Sequence, residues 1–169
     1  MNRIFLTGFM GSGKSTIGKM LASHLRFSFI DLDTYIESKF HKTIAQIFTE
    51  IGEQKFRQIE QKCLHEVAEC ENTVIATGGG TPCFFDNMEF MNLHGITVYI
   101  KLNATQLASR LEDSPHGKRP LLAERIEKDL HRFIENGLTK RESYYMQSGC
   151  VVDGFRTPEE LVSCIVELI

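Results

Sequence analysis

A glycine-rich stretch near the amino terminus constrains this chain more than any other part of its sequence. It reads Gly8-Phe9-Met10-Gly11-Ser12-Gly13-Lys14-Ser15, follows a short apolar run at residues 4–7 and opens a segment with helical periodicity. Glycines allow backbone dihedral angles that are closed to other residues, so successive N–H groups can converge on an anion, to which the following helix adds its positive end. The spacing G-x-x-x-x-G-K-S between a strand and a helix therefore predicts a loop that holds the phosphates of a nucleotide.

The rest of the chain alternates short apolar runs rich in β-forming residues with longer amphipathic segments, which predicts an α/β fold with a parallel sheet. We predict five strands at 4–7, 27–30, 73–76, 97–100 and 150–152, and helices at 14–25, 44–47, 55–69, 104–111, 123–135 and 158–168. No repeat or low-complexity tract interrupts this pattern. We therefore expect three layers, α/β/α, and one domain over residues 1–169.

Composition and charge limit the size of the core, the binding partners and the location expected of the protein. Of 169 residues, 42% are hydrophobic and 24% are charged, which suffices for one well-buried core, and the net charge of −3 provides no general attraction to nucleic acid or anionic membranes. The five cysteines show no C-x-x-C pair, and the apolar start is too short for a signal peptide or a membrane span. We expect reduced thiols, a cytoplasmic location, a monomer, and neither nucleic-acid nor membrane partners.

We expect side chains of the glycine-rich loop and of the first turn of its helix to bind the nucleotide together with the backbone amides. Lys14 supplies a full positive charge, and the Ser15 hydroxyl can face a Mg²⁺ ion that bridges the phosphates of ATP. The alternative is a plain glycine-rich turn with a solvent-exposed lysine, against which the flanking strand and helix argue. The residues expected at ATP in this region are Gly11, Ser12, Gly13, Lys14, Ser15 and Thr16.

Two aspartates follow the second predicted strand, in the sequence Asp31-Leu32-Asp33. The two-residue period of a strand would place both carboxylates on one face. Ligands of open parallel sheets bind beyond the carboxyl ends of the strands, so we expect Asp31 near Mg²⁺ and Asp33 near an acceptor hydroxyl, whose proton it could take. The alternative is that Asp33 only caps the next helix.

A segment at residues 52–60 spaces Glu53, Arg57 and Glu60 at helical offsets of four and three, so these side chains share one face. Alone, this pattern is typical of an exposed salt-bridge ladder. After the third predicted strand, the run Thr77-Gly78-Gly79-Gly80 would let the backbone approach a ligand with no side chain in between.

Two further sets of charges lie late in the chain. Arg141 and Tyr145 are four residues apart in a helical segment, and Lys118 and Arg119 close a polar loop that contains proline and glycine. Isolated charges of this kind often simply face solvent.

Taken together, these segments resemble the shikimate kinase family in order and spacing over nearly the whole chain. The resemblance is carried by the glycine-rich loop, Asp31-Leu32-Asp33, Phe56-Arg57-Gln58-Ile59-Glu60, Thr77-Gly78-Gly79-Gly80, Lys118-Arg119-Pro120-Leu121-Leu122 and Arg141 through Tyr145. It implies the P-loop NTPase fold of the nucleoside monophosphate kinase type, with a substrate-binding region near residues 32–60 and a lid loop near 111–123. It also implies that ATP, with Mg²⁺, phosphorylates the 3-hydroxyl of shikimate on the route to chorismate and the aromatic amino acids.

The same resemblance implies the residues that bind shikimate. Arg57 and Arg141 would hold its carboxylate, because a planar guanidinium can grip a carboxylate through paired hydrogen bonds, and Asp33 would contact ring hydroxyls. Glu60 would orient Arg57. Phe48 and Phe56 would line the apolar side of the ring, although both could be ordinary core residues. The implied shikimate-binding set is Asp33, Arg57, Gly79, Gly80 and Arg141.

Catalytic roles are implied for Lys14, Asp33 and Arg119. Arg119 corresponds to the family's lid arginine, which covers the phosphates and neutralises charge on the transferring group. Arg156, in Arg156-Thr157-Pro158, corresponds to the segment beside adenine and joins the ATP-binding set with Arg119.

One position departs from the family pattern. Members often have a second arginine seven residues before the lid arginine, for adenine contact, and here that position is Glu112. Arg110 lies nearby but out of register, so the contact of the first half of the lid with adenine is left open.

Two other functions compete with this interpretation. Among kinases, the acceptor could be gluconate or another small hydroxy acid. From another class, the chain could be a nucleotide-binding module that has lost catalysis, against which the joint presence of Asp33, Arg57, Arg119 and Arg141 argues.

Overall fold

A five-stranded parallel sheet forms the centre of the molecule, whose computed structural model describes residues 3–112 and 130–169. The strands are β1 (Arg3–Thr7), β2 (Ser28–Asp31), β3 (Thr73–Ala76), β4 (Ile96–Lys101) and β5 (Cys150–Asp153), in the order β2-β3-β1-β4-β5. All four neighbouring pairs are parallel. The α/β fold predicted from the alternating sequence pattern is confirmed.

Strand β1 occupies the middle of the sheet, where Phe5 pairs with Ile75 of β3 on one side and with Thr97 of β4 on the other. All five of its residues are buried, as expected for a parallel strand that is covered on both faces. Because its neighbours continue the sheet in opposite directions, the carboxyl end of β1 opens at the point where ligands of such sheets bind.

Helices cover both faces of the sheet. They are α1 (Lys14–Leu25), α2 (Leu32–Phe40), α3 (Ile44–Val67), α4 (Asn87–His94), α5 (Ala104–Glu112), α6 (Leu130–Tyr145) and α7 (Pro158–Leu168), with a short 3-10 turn at Thr81–Cys83. Ile4 and Leu6 of β1 pack under α1 and α7, whereas Phe5 packs under α2, α3 and α4. A third cluster joins α5 and α6 around Tyr99. These clusters form the predicted α/β/α layers.

The helices and strands differ from the prediction in several details. Helices expected at 44–47 and 55–69 correspond to the two parts of α3, which meet at a kink at Gly52, where φ is 78° and ψ is 166°, so the break between them is confirmed but the first part is longer than predicted. Helices α2 and α4 were not predicted; α2 buries only Leu32 and Ile36, which leaves a weak apolar period. The strand β2 ends at Asp31, so Leu32 and Asp33 already belong to α2 and the two-residue alternation across them does not apply.

Some predictions fall where the structure describes no residue. The first part of the helix predicted at 123–135, most of the lid expected near 111–123 and Arg119 itself lie within residues 113–129, outside the described residues. Within the described ranges, no helix is both long and apolar enough to cross a membrane. All five cysteines are described, and none of them is paired in a disulfide.

Candidate active site

The glycine-rich loop connects the buried end of β1 to α1 and requires glycine at specific positions. Gly13 is the residue before α1 and has a left-handed φ of 95°, and no side chain caps the helix there. At Gly8, where φ is 140°, a Cβ atom would lie 2.9 Å from the Ile100 carbonyl oxygen. The uncapped first turn of α1 leaves backbone N–H groups directed at the loop, which is the arrangement that binds anions.

Lys14 folds back over this loop instead of extending into solvent. Its Nζ donates hydrogen bonds to the carbonyl oxygens of Gly8, at 2.8 Å, and Phe9, at 3.0 Å, and the residue is only 9% exposed. A solvent-exposed lysine on a plain turn, the alternative from the sequence, is therefore wrong. The ammonium group is held by neutral backbone dipoles of its own loop.

Ser15 and Asp31 join the start of α1 to the start of α2. The Ser15 hydroxyl donates to Asp31 Oδ2 at 2.5 Å, while Asp31 Oδ1 accepts a hydrogen bond from the Thr34 backbone N–H at 3.2 Å. Asp31 is thus the N-cap of α2, the role considered for Asp33. Among the residues described, no three His, Cys, Asp or Glu side chains come together as a metal cluster.

Asp33 lies in the first turn of α2, partly buried near other charges. Its pKa is raised from 3.8 to about 6, first by burial and then by the negative charges of Asp31 and Glu60, while the positive charge of Lys14 opposes the rise. A Cβ atom on Gly78 would lie 3.0 Å from Asp33 Oδ1 and 3.0 Å from Glu60 Oε1, so both carboxylates are packed against this glycine. The structure thus brings the carboxylate of α2, the glycine run and Lys14 into one neighbourhood.

Arg57 is held by two glutamates on its own helix. Its Nη1 pairs with Glu60 Oε2 at 2.9 Å and its Nη2 with Glu53 Oε1 at 3.1 Å. Arg57 and Glu60 are 8% and 1% exposed, whereas the Glu53 side chain is 59% exposed. An exposed ladder, the alternative from the sequence, is therefore wrong for Arg57 and Glu60, which form a buried ion pair.

The Glu60 carboxylate is fixed from a second direction by the turn after the glycine run. Thr81 Oγ1 donates to Glu60 Oε1 at 2.7 Å, and Asn87 Nδ2 donates to the Thr81 carbonyl oxygen at 2.9 Å. At Gly80 a Cβ atom would lie 2.7 Å from Arg57 Nη2. The guanidinium of Arg57 is therefore packed directly against the backbone of the glycine run.

Three aromatic rings surround the Arg57 guanidinium. Its Cζ lies 4.2 Å from the ring centroid of Phe84, 5.3 Å from that of Phe56 and 5.5 Å from that of Phe48. Phe56 also belongs to the core under α3, so the two interpretations of this residue coexist. Phe84 was not predicted as part of the site, because it follows a short turn and belongs to no periodic pattern in the sequence.

Arg141 approaches the same glycine run from α6. Its Cζ lies 5.4 Å from the ring centroid of Phe9, and its Nη1 lies 3.8 Å from where a Cβ of Gly79 would be. Burial raises the pKa of the Cys83 thiol to about 11, and the charges of Arg141 and Arg57 both oppose that rise. Both arginines are therefore close to one side chain, although they lie on different helices.

Arg110 contacts the glycine-rich loop from α5. Its Nη1 donates to the Ser12 carbonyl oxygen at 3.1 Å and its Nη2 to the Gly154 carbonyl oxygen at 2.8 Å. It thus ties the loop to the connection after β5, where Arg156 is exposed, while Glu112 is also exposed. Arg110 does not match the position of the family's adenine-contact arginine, which is residue 112 here, but it is the arginine of α5 that contacts this loop.

Comparisons with known proteins agree on one family. A family model described as shikimate kinase matches residues 10–169. A shikimate kinase of Parabacteroides distasonis is 53% identical over 153 residues, which cover 90% of this chain and 88% of that protein.

Solved structures give the same result. The crystal structure of shikimate kinase from Bacteroides thetaiotaomicron has a TM-score of 0.94 and 46% identity, covering 99% of this chain and 97% of that one. Shikimate kinase from Acinetobacter baumannii in complex with shikimate has a TM-score of 0.89 and 32% identity, covering 99% and 92%. The chain is thus similar to these proteins over almost its full length.

Proposed function

The chain belongs to the shikimate kinase family, and from that premise we propose how its residues transfer the γ-phosphoryl group of ATP to the 3-hydroxyl of shikimate. The product, shikimate 3-phosphate, lies on the route to chorismate and the aromatic amino acids. The observation that carries the assignment of residues is the convergence of Arg57, Arg141 and Asp33 on the glycine run beside Lys14.

We assign Arg57 and Arg141 to the carboxylate of shikimate. Arg57 is already oriented by the buried Glu60, so little side-chain entropy is lost when an anion binds to it. The two guanidinium groups come from separate helices to the neighbouring residues Gly79 and Gly80, which suits a ligand held between them. Backbone atoms of Gly79 and Gly80 complete the pocket, because no side chain separates them from a ligand.

We assign Asp33 to the hydroxyl that accepts the phosphoryl group. Its pKa of about 6 leaves it mostly ionised at neutral pH, so it can accept a hydrogen bond and then the proton. In the step itself, the shikimate oxygen forms a bond to the γ-phosphorus as the bond from that phosphorus to the β,γ-bridging oxygen breaks. ADP departs, and the hydroxyl proton passes to Asp33.

We assign the phosphates of ATP to the glycine-rich loop. The backbone amides of the loop and of the first turn of α1, with the side chains of Ser15 and Thr16, would bind them. Lys14 would exchange its hydrogen bonds to the Gly8 and Phe9 carbonyls for phosphate oxygens. The set comprises Gly11, Ser12, Gly13, Lys14, Ser15 and Thr16, with Arg119 over the phosphates and Arg156 beside adenine.

The Ser15 hydroxyl and the Asp31 carboxylate fit a Mg²⁺ ion. Both are oxygen donors and they already lie 2.5 Å apart, and Mg²⁺ usually takes one or two protein ligands besides phosphates and water. Bound there, the ion would offset negative charge on the phosphates. Lys14 and Arg119 would stabilise the charge that spreads over the transferring group.

The remaining expectations extend this proposal. We propose a cytoplasmic monomer that forms one domain over residues 1–169, with the acceptor region near 32–60 and a lid near 111–123. Neither nucleic acid nor a membrane is part of the proposed activity.

A direct assay tests the proposed function. Purified protein with ATP, Mg²⁺ and shikimate should give one new phosphomonoester, assigned to the 3-oxygen by phosphorus and proton NMR. Gluconate in place of shikimate should give no product above the rate of ATP hydrolysis. Turnover of gluconate without turnover of shikimate would move the chain to another acceptor, and no turnover of either would favour the non-catalytic alternative.

A further inference from the structure

We propose that Tyr145 is a positioning residue for the acceptor, whose phenol joins Arg141 to the backbone of Gly79. The proposal rests on the assignment of Arg141 and the glycine run to shikimate made above. It adds a residue to which the sequence pattern assigned no role.

The phenol of Tyr145 reaches the glycine run from the end of α6. Its hydroxyl donates a hydrogen bond to the Gly79 carbonyl oxygen at 2.5 Å, and the residue is fully buried. The carbonyl oxygens of Gly78 and Gly80 accept backbone hydrogen bonds from Thr81 and Cys83 within the turn. Tyr145 therefore supplies from another helix the bond that the middle carbonyl accepts.

Fixing this carbonyl also fixes the next amide. A trans peptide unit is planar, with its C=O and N–H groups on opposite sides, so the N–H of Gly80 is directed away from Tyr145. Gly80 packs directly against the guanidinium of Arg57. The hydrogen bond from Tyr145 thus orients a backbone donor beside one of the two arginines assigned to the carboxylate.

Arg141 lies one helical turn before Tyr145, on the same face of α6. Burial raises the pKa of the Tyr145 phenol, and the nearby charge of Arg141 opposes that rise. The phenol stays protonated at neutral pH and remains a donor to Gly79. The positive charge of Arg141 interacts favourably with the phenol oxygen of Tyr145. Because the same hydroxyl binds the Gly79 carbonyl, Tyr145 connects Arg141 to the glycine run.

The ring of Tyr145 cannot turn away easily, because it packs in the cluster between α5 and α6. The centroid of Tyr99 lies 5.1 Å from that of Tyr145, and both rings are buried. An aromatic side chain has only two torsions, so packing in a cluster holds it in one position at a small cost in side-chain entropy. The geometry of the pocket at Gly79 and Arg141 is therefore set by the core.

Tyr145→Phe removes the hydroxyl and keeps the ring. We expect the KM for shikimate to rise about three- to tenfold, the effect of one lost hydrogen bond, while the KM for ATP stays within twofold. A role in folding alone would lower the melting temperature without separating the two KM values.

Tyr99→Phe is the matched control. The Tyr99 hydroxyl is buried in the same cluster and has no hydrogen-bond partner among the described residues. Its removal should leave both KM values unchanged. A rise in the shikimate KM of Tyr99→Phe equal to that of Tyr145→Phe would overturn the proposal, because the effect would then come from loss of cluster packing.

Arg141→Ala distinguishes the failure of this proposal from the failure of the assignment of Arg141 to shikimate, on which it rests. A raised shikimate KM in Arg141→Ala, with an unchanged one in Tyr145→Phe, would overturn the role of Tyr145 alone. An unchanged shikimate KM in Arg141→Ala would overturn the assignment of Arg141 itself. Should Tyr145→Phe fail to fold, 3-fluorotyrosine incorporated at position 145 provides the test: its fluorine resonance should shift with shikimate and stay in place with gluconate, and no shift would overturn the proposal.

Discussion

The two halves of the site hold their positive charges in different ways. On the acceptor side, Arg57 is fixed by the carboxylate of Glu60, which Thr81 holds in turn. On the phosphate side, Lys14 is held by the Gly8 and Phe9 carbonyls of its own loop. Arg57 has a buried counter-charge on its own helix, whereas Lys14 makes hydrogen bonds to neutral loop carbonyls, which phosphate oxygens of a ligand can replace.

This difference indicates which half of the site is organised before a ligand binds. A buried arginine without a partner would be costly, so its glutamate has to be present before any ligand arrives. Lys14 keeps its charge for the phosphates, because its bonds to neutral carbonyls can be exchanged for stronger bonds to anionic oxygens. The acceptor half is therefore organised in advance, whereas the phosphate half is completed by the nucleotide.

The largest expected effect comes from removing the exchangeable cation. Lys14→Met should lower kcat by about a hundred- to a thousandfold, because the charge that develops on the transferring group loses its stabilisation. The melting temperature should change little, since the hydrogen bonds of Lys14 to the Gly8 and Phe9 carbonyls stay within its own loop and join no distant segments. Steady-state kinetics and thermal unfolding check both expectations.

Lys19→Met serves as the control for Lys14→Met. Lys19 lies on the same helix and is exposed. Its loss should leave kcat within twofold. A collapse of thermal stability in Lys14→Met would show that Lys14 is a structural cation like Arg57 and would remove the contrast between the two halves.

The next effect concerns the counter-charge on the acceptor side. Glu60→Gln leaves Arg57 buried without its inner partner and should lower the free energy of unfolding by about 3 kcal/mol. The shikimate KM should rise as well, because the guanidinium is no longer held in place. Urea unfolding and kinetics with each substrate varied in turn measure the two changes, and wild-type stability in this variant would refute the buried-pair account.

Asp33, on the acceptor side, should make the stability of the protein depend on pH. Its pKa is raised from 3.8 to about 6, so the folded state binds the proton more tightly than the unfolded state does. Stability from this group is fully present below pH 3.8 and is lost as the pH rises through 6. Asp33→Asn should therefore be more stable than the wild type at pH 8, by at most about 3 kcal/mol, and equally stable near pH 4.

Thermal unfolding of both proteins between pH 4 and pH 8 measures this difference. In the wild-type enzyme, activity should also fall as the pH drops below 6, because protonated Asp33 cannot take the hydroxyl proton. A stability difference that did not vary with pH would contradict the raised pKa.

The smallest effect should come from Glu53, which contacts the same arginine as Glu60 from an exposed position. Glu53→Gln should change the free energy of unfolding by less than about 1 kcal/mol. Measured beside Glu60→Gln, it isolates burial as the variable. Equal losses from the two variants would mean that the position of the carboxylate in the fold is unimportant.

Local signals explain what the sequence predicted well. The glycine spacing and the helix after it predicted α1 at 14–25, and Thr157 with Pro158 predicted α7 at 158–168, as the structure has them. Each of these signals lies within a few residues of the element it defines. The five parallel strands followed from short apolar runs, of which the central ones, β1 and β3, are buried throughout.

Contacts between distant segments could not be predicted in this way. The Tyr145 hydroxyl meets a carbonyl 66 residues earlier, and Thr81 meets Glu60 across 21 residues. Arg110 was set aside because its spacing from Arg119 did not match, yet it reaches Ser12 across 98 residues. Spacing along the chain reports on one helix or one turn, whereas these bonds depend on how helices are placed around the sheet.

The most direct test of an acceptor half organised in advance is calorimetric titration of shikimate into the protein without nucleotide. We predict saturable binding with a dissociation constant within about tenfold of that measured with a non-hydrolysable ATP analogue present, since Arg57 is already oriented by Glu60. Binding that appears only when the analogue is present would contradict the account, because it would mean that the nucleotide builds the acceptor pocket.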